Sequence, residues 1–258
     1  MFFKIKAYLT FLLKSTNQHG VHSPFVYSLI TNCFYKKTLK NVFKDFLAYK
    51  KSLITSSVMI NVTDFGAGSK VFKSNSRPVA KIAKYAGISD RRASLLIRLS
   101  AYFKPKHILE IGTSLGLSTA ALKLGAPNAI LKSLEGCPET AKIAKTQLEK
   151  FQFNLTDIDV GDFSKTLKSA TEDANFDLIY FDGNHQKEPT LAYFESCLKS
   201  VNNDSVFIFD DIHWSAEMES AWKLITEHPK VTVSIDTFQW GLVFFRKEQE
   251  KEHFIIRV

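Results

Sequence analysis

His107-Ile-Leu-Glu-Ile-Gly-Thr-Ser-Leu-Gly-Leu-Ser-Thr-Ala-Ala-Leu122 is the stretch on which the fold turns. Ile108, Leu109 and Ile111 read as a buried strand, Gly112 to Gly116 as a tight turn, and the apolar residues that follow as a helix starting at once. Glycine lets the backbone bend sharply and lets a ligand approach closely. The helix N-terminus behind the turn offers unpaired N–H groups and a positive dipole end to a carboxylate or phosphate. This is the first strand and nucleotide loop of a doubly wound α/β domain, with its ligand crevice at the carboxyl edge of the sheet.

From residue 107 onward strands and helices alternate, which implies a parallel sheet. Residues 129–134 form the second strand, and Glu135 stands at its tip, 23 positions after Gly112. An acid there meets ribose hydroxyls in nucleotide-binding folds, two acceptor oxygens facing two donors; the plainer reading is an exposed loop glutamate. A helix over 138–151 and a strand over 154–160 follow, the strand ending in Gly161-Asp162. Strand four, 176–181, ends in Asp182-Gly-Asn-His185, and strand five, 204–209, ends in Asp210-Asp211. Three like charges gathered in one crevice are costly unless neutralised, and a hard divalent cation with oxygen ligands would do so. Solvated loop acids and helix caps are the ordinary alternative. A helix over 216–228 and two strands, 231–237 and 241–246, joined by a short connection close the chain as a hairpin.

The loop spacing is E-x-G-x-x-x-G-x-S, with Thr113, Ser114 and Ser118 where a dinucleotide fingerprint keeps bare backbone. It resembles the S-adenosylmethionine (SAM) loop of class I methyltransferases, in the catechol O-methyltransferase-like branch. The resemblance covers roughly residues 90–246. It implies a Rossmann-like α/β fold with a seven-stranded sheet in the order 3-2-1-4-5-7-6, whose last strand is antiparallel. It implies SAM held by Glu110, Gly112, Thr113, Ser114, Gly116, Ser118, Glu135, Gly161, Asp162 and Asp182. It also implies Mg²⁺ bound by Asp182, Asp210 and Asp211, with His185 as the base that takes the proton from an acceptor hydroxyl. Two departures bear on this. Catechol-type enzymes typically carry Asp-Asn after strand five and a lysine three residues after the first metal aspartate, where this chain has Asp210-Asp211 and His185. The Asp-Gly-x-His form with a double aspartate is more similar to bacterial sugar and macrolide O-methyltransferases. The activity implied is methyl transfer to a hydroxyl of a small molecule.

Charge divides the 258 residues unevenly: 19 lysines and arginines against three acids in 1–106, and 15 against 23 in the remainder. The division places a basic, mostly helical extension over 1–89, a candidate lid or substrate region, before a methyltransferase domain over 90–258. A solvated helical surface explains the basic front; RNA binding by an enzyme that methylates a hydroxylated base is the sharper alternative. A non-catalytic binding module on the same fold is a third reading, against which the retained acids argue. Ser23-Pro24 and Ser89 are N-cap signals for helices, the second running over 90–103. Asp64-Phe-Gly-Ala-Gly68 imitates a SAM loop, but the polar, proline-containing sequence after it opens no helix, so it reads as a loop or hairpin. Cys33, Cys137 and Cys197 are scattered and odd in number, which fits a reducing cytoplasm. The apolar run at the N-terminus is short and broken by Lys4 and Lys6, unlike a leader or a membrane span.

Overall fold

The computed structural model describes residues 2–63, 74–172 and 174–258, so the 64–68 glycine segment lies outside the described residues. Helices α1 (Phe2–Lys14), α2 (Pro24–Leu29) and α3 (Lys40–Ile54) come first, α2 running on into a π-helical turn at Ile30–Phe34. Strands β1 (Met59–Asn61) and β2 (Ser76–Pro78) pair antiparallel, and α4 (Val79–Tyr85) and α5 (Asp90–Phe103) follow. The alternating part then runs β3 (His107–Ile111), α6 (Leu117–Gly125), β4 (Ile130–Glu135), α7 (Pro138–Lys150), β5 (Thr156–Val160) and α8 (Phe163–Thr171). It continues β6 (Leu178–Phe181), α9 (Lys187–Cys197), β7 (Val206–Asp210), α10 (Ala216–Glu227), β8 (Val233–Asp236), β9 (Trp240–Phe244) and β10 (Glu252–Ile255).

The main sheet has the order β10-β8-β9-β7-β6-β3-β4-β5, with β9 antiparallel to both β7 and β8. Leaving out β10, this is the expected 3-2-1-4-5-7-6 order. The sheet has eight strands and not seven, because the charged tail after β9 returns and adds β10 parallel to β8. Ile256 supplies the apolar content of that edge, being fully buried with its N–H on the Asp236 carbonyl.

Successive residues of a strand face opposite sides, and here the two sides feed two separate cores. Phe207 and Phe209 of β7, Ile179 and Phe181 of β6, and Leu109 and Ile111 of β3 pack with α8, α9 and α10. Val206 and Ile208, Leu178 and Tyr180, and Ile108 face the other way, into a core shared with α5, α6 and the N-terminal helices α2 and α3. Each of these fully buried phenylalanines contributes about 1.5–3 kcal/mol relative to exposure. Glu110 and Asp210 share the parity of Ile108 and Ile208, so both carboxylates point toward the α5–α6 side. That parity decides what they meet.

Both cap signals hold: the Ser23 hydroxyl accepts from the Val26 N–H, and the Ser89 hydroxyl accepts from the Arg92 N–H at the start of α5. Helix α1 buries Ala7 and Phe11, and packs Tyr8 edge-on and Phe11 at a tilt against Phe238 in the β8–β9 turn, centroids 4.8 and 5.5 Å apart. Lys4 Nζ lies 3.4 Å from the centroid of the Trp214 ring. The N-terminal helix therefore sits at the carboxyl end of the sheet, beside the loop that follows β7. No helix among the described residues is long and apolar enough to cross a membrane.

Candidate active site

The turn after β3 is as tight as its glycines require. Gly112 has φ +103°, and a Cβ there would lie 2.3 Å from the backbone oxygen of Asp182. Gly116 has φ +77°, and a Cβ there would lie 2.5 Å from the Tyr49 hydroxyl, which donates to the Leu115 carbonyl from α3 behind the loop. Gly116 is also the N-cap of α6 and offers no side-chain cap, so the first-turn N–H groups of α6 are left for an anionic ligand. Ser114 takes φ +49° and donates its N–H to Glu135 Oε2 at 2.6 Å, while Glu135 Oε1 accepts from the Cys137 N–H at 2.8 Å. The acid at the tip of β4 is thus fixed by two backbone amides. A carboxylate has about four acceptor positions, so two stay open to ribose hydroxyls.

Thr113 and Ser118, expected to present hydroxyls to a ligand, are buried. Thr113 shares a hydrogen bond with Ser133 (2.5 Å), and Ser133 and Thr119 each donate to Glu110 Oε2. Glu110 itself is fully buried, and its Oε1 has no hydrogen-bond partner. Burial raises its pKa to about 7, and the nearby hydroxyls of Ser118, Ser133 and Thr119 oppose that rise. An orphaned carboxylate oxygen under a cofactor loop suits an ammonium, directly or through a water. Asp162 is exposed and caps α8, its Oδ1 accepting from the N–H and hydroxyl of Ser164, and Gly161 donates its N–H to the Glu135 carbonyl.

The second half of the site lies at the ends of β6 and β7. His185 Nε2 is 3.4 Å from Asp182 Oδ1. Burial lowers the imidazole pKa, but the hydrogen bond to Asp182 and the charges of Asp182, Asp210 and Asp211 outweigh it and raise it to about 9. Asn184, His185 and Asp211 all take left-handed backbone, φ +70°, +49° and +51°. Such conformations cost about 1–3 kcal/mol each and persist where surrounding structure over-determines them. With Ser114, they gather at one edge of one sheet.

Asp210 is where sequence and structure part. Its Oδ1 accepts from Arg92 Nη1 at 2.7 Å, from the Trp240 indole N–H at 2.9 Å and from the Asp211 N–H at 2.8 Å. Its Oδ2 accepts from Arg92 Nη1 at 3.0 Å and lies 3.4 Å from the Tyr180 hydroxyl. Burial and the Asp182 charge raise the Asp210 pKa, and Arg92 opposes them. Arg92 Nη1 is also 3.8 Å from Asp211 Oδ1. Among the described residues no group of three or more His, Cys, Asp or Glu side chains is arranged to hold a metal ion. Of the expected Mg²⁺ ligands, Asp210 and Asp211 face the Arg92 guanidinium and Asp182 faces His185, and the donor set as built does not fit the metal. Arg92, Trp240 and Tyr180 were not singled out in the sequence. The signal available for the first was a pair of arginines in the opening turn of a helix, where the dipole disfavours cations.

Residues 109–212 match the family described as a methyltransferase domain. That stretch is similar to methyltransferase domains, and the chain around it to a catechol O-methyltransferase. Over 127 residues it is 28% identical to a catechol O-methyltransferase of Mycobacterium tuberculosis, a match spanning 48% of this chain and 56% of that protein. In fold it is similar to a Podospora anserina methyltransferase solved with S-adenosylhomocysteine (TM-score 0.61, 15% identity, 88% of this chain and 97% of that one). A Bacillus cereus O-methyltransferase, also solved with S-adenosylhomocysteine, is similar to a comparable extent (TM-score 0.56, 19% identity, 86% and 97%). At those identities the structural likenesses speak to the fold of the methyltransferase domain and not to its acceptor.

Proposed function

We propose that this chain is a SAM-dependent O-methyltransferase that transfers a methyl group to a hydroxyl of a small-molecule acceptor. The observation that carries the reading is the conjunction of an uncapped α6 N-terminus, an orphaned Glu110 Oε1 and a braced Glu135 around one glycine turn. These three suit, in turn, the carboxylate, the ammonium and the ribose of one ligand. SAM supplies a methyl on a sulfonium, whose C–S bond breaks as the acceptor oxygen bonds to the carbon. The residues of the chain orient and deprotonate. His185, held at Nε2 by Asp182, keeps its other ring nitrogen for the acceptor hydroxyl and takes up its proton as the oxygen attacks. Holding the nucleophile at attack distance supplies most of the acceleration. The Mg²⁺ implied by the sequence resemblance has no part in these steps, because its ligand set does not fit.

Calorimetric titration of SAM into the purified chain tests the reading. Binding in the micromolar range, with His185→Ala retaining that affinity while losing turnover on order of 10²–10⁴-fold, is the expected result. Because His185 must be neutral to act, kcat/KM should climb with pH and level off near 9. No SAM binding, or full turnover by His185→Ala, would count against it.

A further inference from the structure

We propose that Arg92 is the resident cation of this site, standing where catechol-type enzymes would hold a divalent metal, so that the chain handles its acceptor without one. The proposal rests on the methyltransferase reading and goes beyond it.

Three carboxylates gather at the ends of β6 and β7; His185 lies against Asp182, and something must neutralise Asp210 and Asp211. Arg92 reaches in from the first turn of α5 with one nitrogen on both oxygens of Asp210 and 3.8 Å from Asp211. Asp210 is 95% buried, and its remaining contacts go to the Trp240 indole, the Asp211 amide and the Tyr180 hydroxyl. All of these are donors aimed at a carboxylate that stays where it is. A metal would need those lone pairs, and a dication beside a guanidinium this close would be repelled.

The arrangement is built in at several levels. Asp210 is the last residue of β7 and faces the α5 side by strand parity, while Trp240 is its direct partner across the antiparallel β7–β9 pair. Ser89 caps α5 through the backbone N–H of Arg92 itself, fixing the turn from which the guanidinium projects. Lys50 binds Asp90 at 2.6 Å and ties that same turn to α3.

The substrate class follows from the chemistry. A metal centre gathers two adjacent oxygens of a catechol or vicinal diol and acidifies one of them. A guanidinium already spent on Asp210 cannot chelate. The acceptor then needs one nucleophilic hydroxyl, presented to His185, and no neighbouring oxygen.

The test uses the full chain, with Mn²⁺ and Mg²⁺ as probes and SAM titrated separately. The expected results are no saturable heat with either ion up to millimolar concentration, and a SAM affinity unchanged within twofold by EDTA. Catechol binding in the presence of SAM should not be tightened by Mg²⁺. Arg92→Ala should acquire Mn²⁺ binding, since it leaves Asp210 and Asp211 without their cation, and Arg92→Lys, which keeps a charge, should not. Micromolar Mn²⁺ binding by the unmodified chain that Asp210→Asn abolishes, or a tenfold gain in catechol affinity with Mg²⁺, would overturn the proposal. These readouts stand even if Arg92→Ala fails to fold. Absence of SAM binding would strike the methyltransferase reading instead, and the Mn²⁺ isotherm would still judge Arg92 by itself.

Discussion

Glu110 shows how much one side chain reports. A carboxylate sealed beneath a glycine turn, with one oxygen fed by two hydroxyls and the other by none, is held close to neutrality, at about 7. Its folded pKa stands above the ordinary value near 4.5, so its contribution to stability is fully present below about 4.5 and is lost as pH rises through about 7. The loss is on the order of 3 kcal/mol. Glu110→Gln should remove that pH dependence. Urea unfolding of the cofactor-free chain and its variant at pH 5 and pH 8 should show the difference between them shifting in favour of the variant at the higher pH. Equal shifts in both proteins would mean that Glu110 is ionised without cost. The same substitution should weaken SAM binding, because the orphaned oxygen that suits an ammonium becomes half of a neutral amide. The sequence placed an acid at this position. It did not disclose that Thr113 and Ser118 turn inward around it, since a hydroxyl one or two residues past a glycine can face either way until the neighbouring strand is in place.

At the scale of an element, the loop from Gly112 to Gly116 is clamped on both sides. Asp182 backbone lies against Gly112, and Tyr49 from α3 fills the space behind Gly116. Gly116→Ala meets both a positive φ and a hydroxyl at 2.5 Å, whereas Tyr49→Phe loses only the hydrogen bond to Leu115. Tyr49→Phe should cost about 1 kcal/mol and Gly116→Ala more than that. Pairing the two should recover part of the Gly116→Ala loss, because the clashing oxygen is then absent. Chemical denaturation of the three variants checks the order, and a strictly additive double variant would contradict the clash. Elements themselves were largely legible beforehand: α5 spans the 90–103 that its Ser89 cap signal indicated, and β1 and β2 pair antiparallel on either side of the segment that read as a loop or hairpin. Helix α4 was not anticipated, being only seven residues long and uncapped by any side chain.

Across the whole molecule, the two ends of the described chain meet. Thr16 bridges to Ile256, its N–H on the Ile255 carbonyl, and Arg257 donates back to the Thr16 carbonyl. The strand that supports this contact, β10, is the eighth strand of the sheet. Helix α1, which overlies the β8–β9 turn and the Trp214 loop, therefore depends on a contact with residues some 240 positions later. Ile256→Ala should cost about 2–5 kcal/mol, as for other fully buried isoleucines, and should speed proteolytic cleavage within residues 2–20 before the sheet unfolds. Uniform protection of that segment until global unfolding would show that α1 is held by Phe238 and Trp214 alone. Part of the basic excess in residues 1–106 is likewise spent inside the fold. Lys50 pairs with Asp90, Arg92 with Asp210, and Arg98 donates to the Cys33 and Phe34 carbonyls at the end of the π-helical turn.

The strands, the helices between them and the crevice acids were legible in local pattern, and the order of the strands came from the family resemblance that those segments carry. Strand period, the glycine turn, an acid at a strand tip and a closing hairpin are each written in a short segment, which carries its signal complete. The counter-charge of the acids was not so settled. Arg92 and Asp210 are 118 positions apart, on a helix and a strand that neither specifies the other by periodicity. Three aspartates at two strand ends say only that positive charge is needed. Whether a metal or a guanidinium supplies it depends on which side chain α5 brings over the sheet, and only the packed structure decides that.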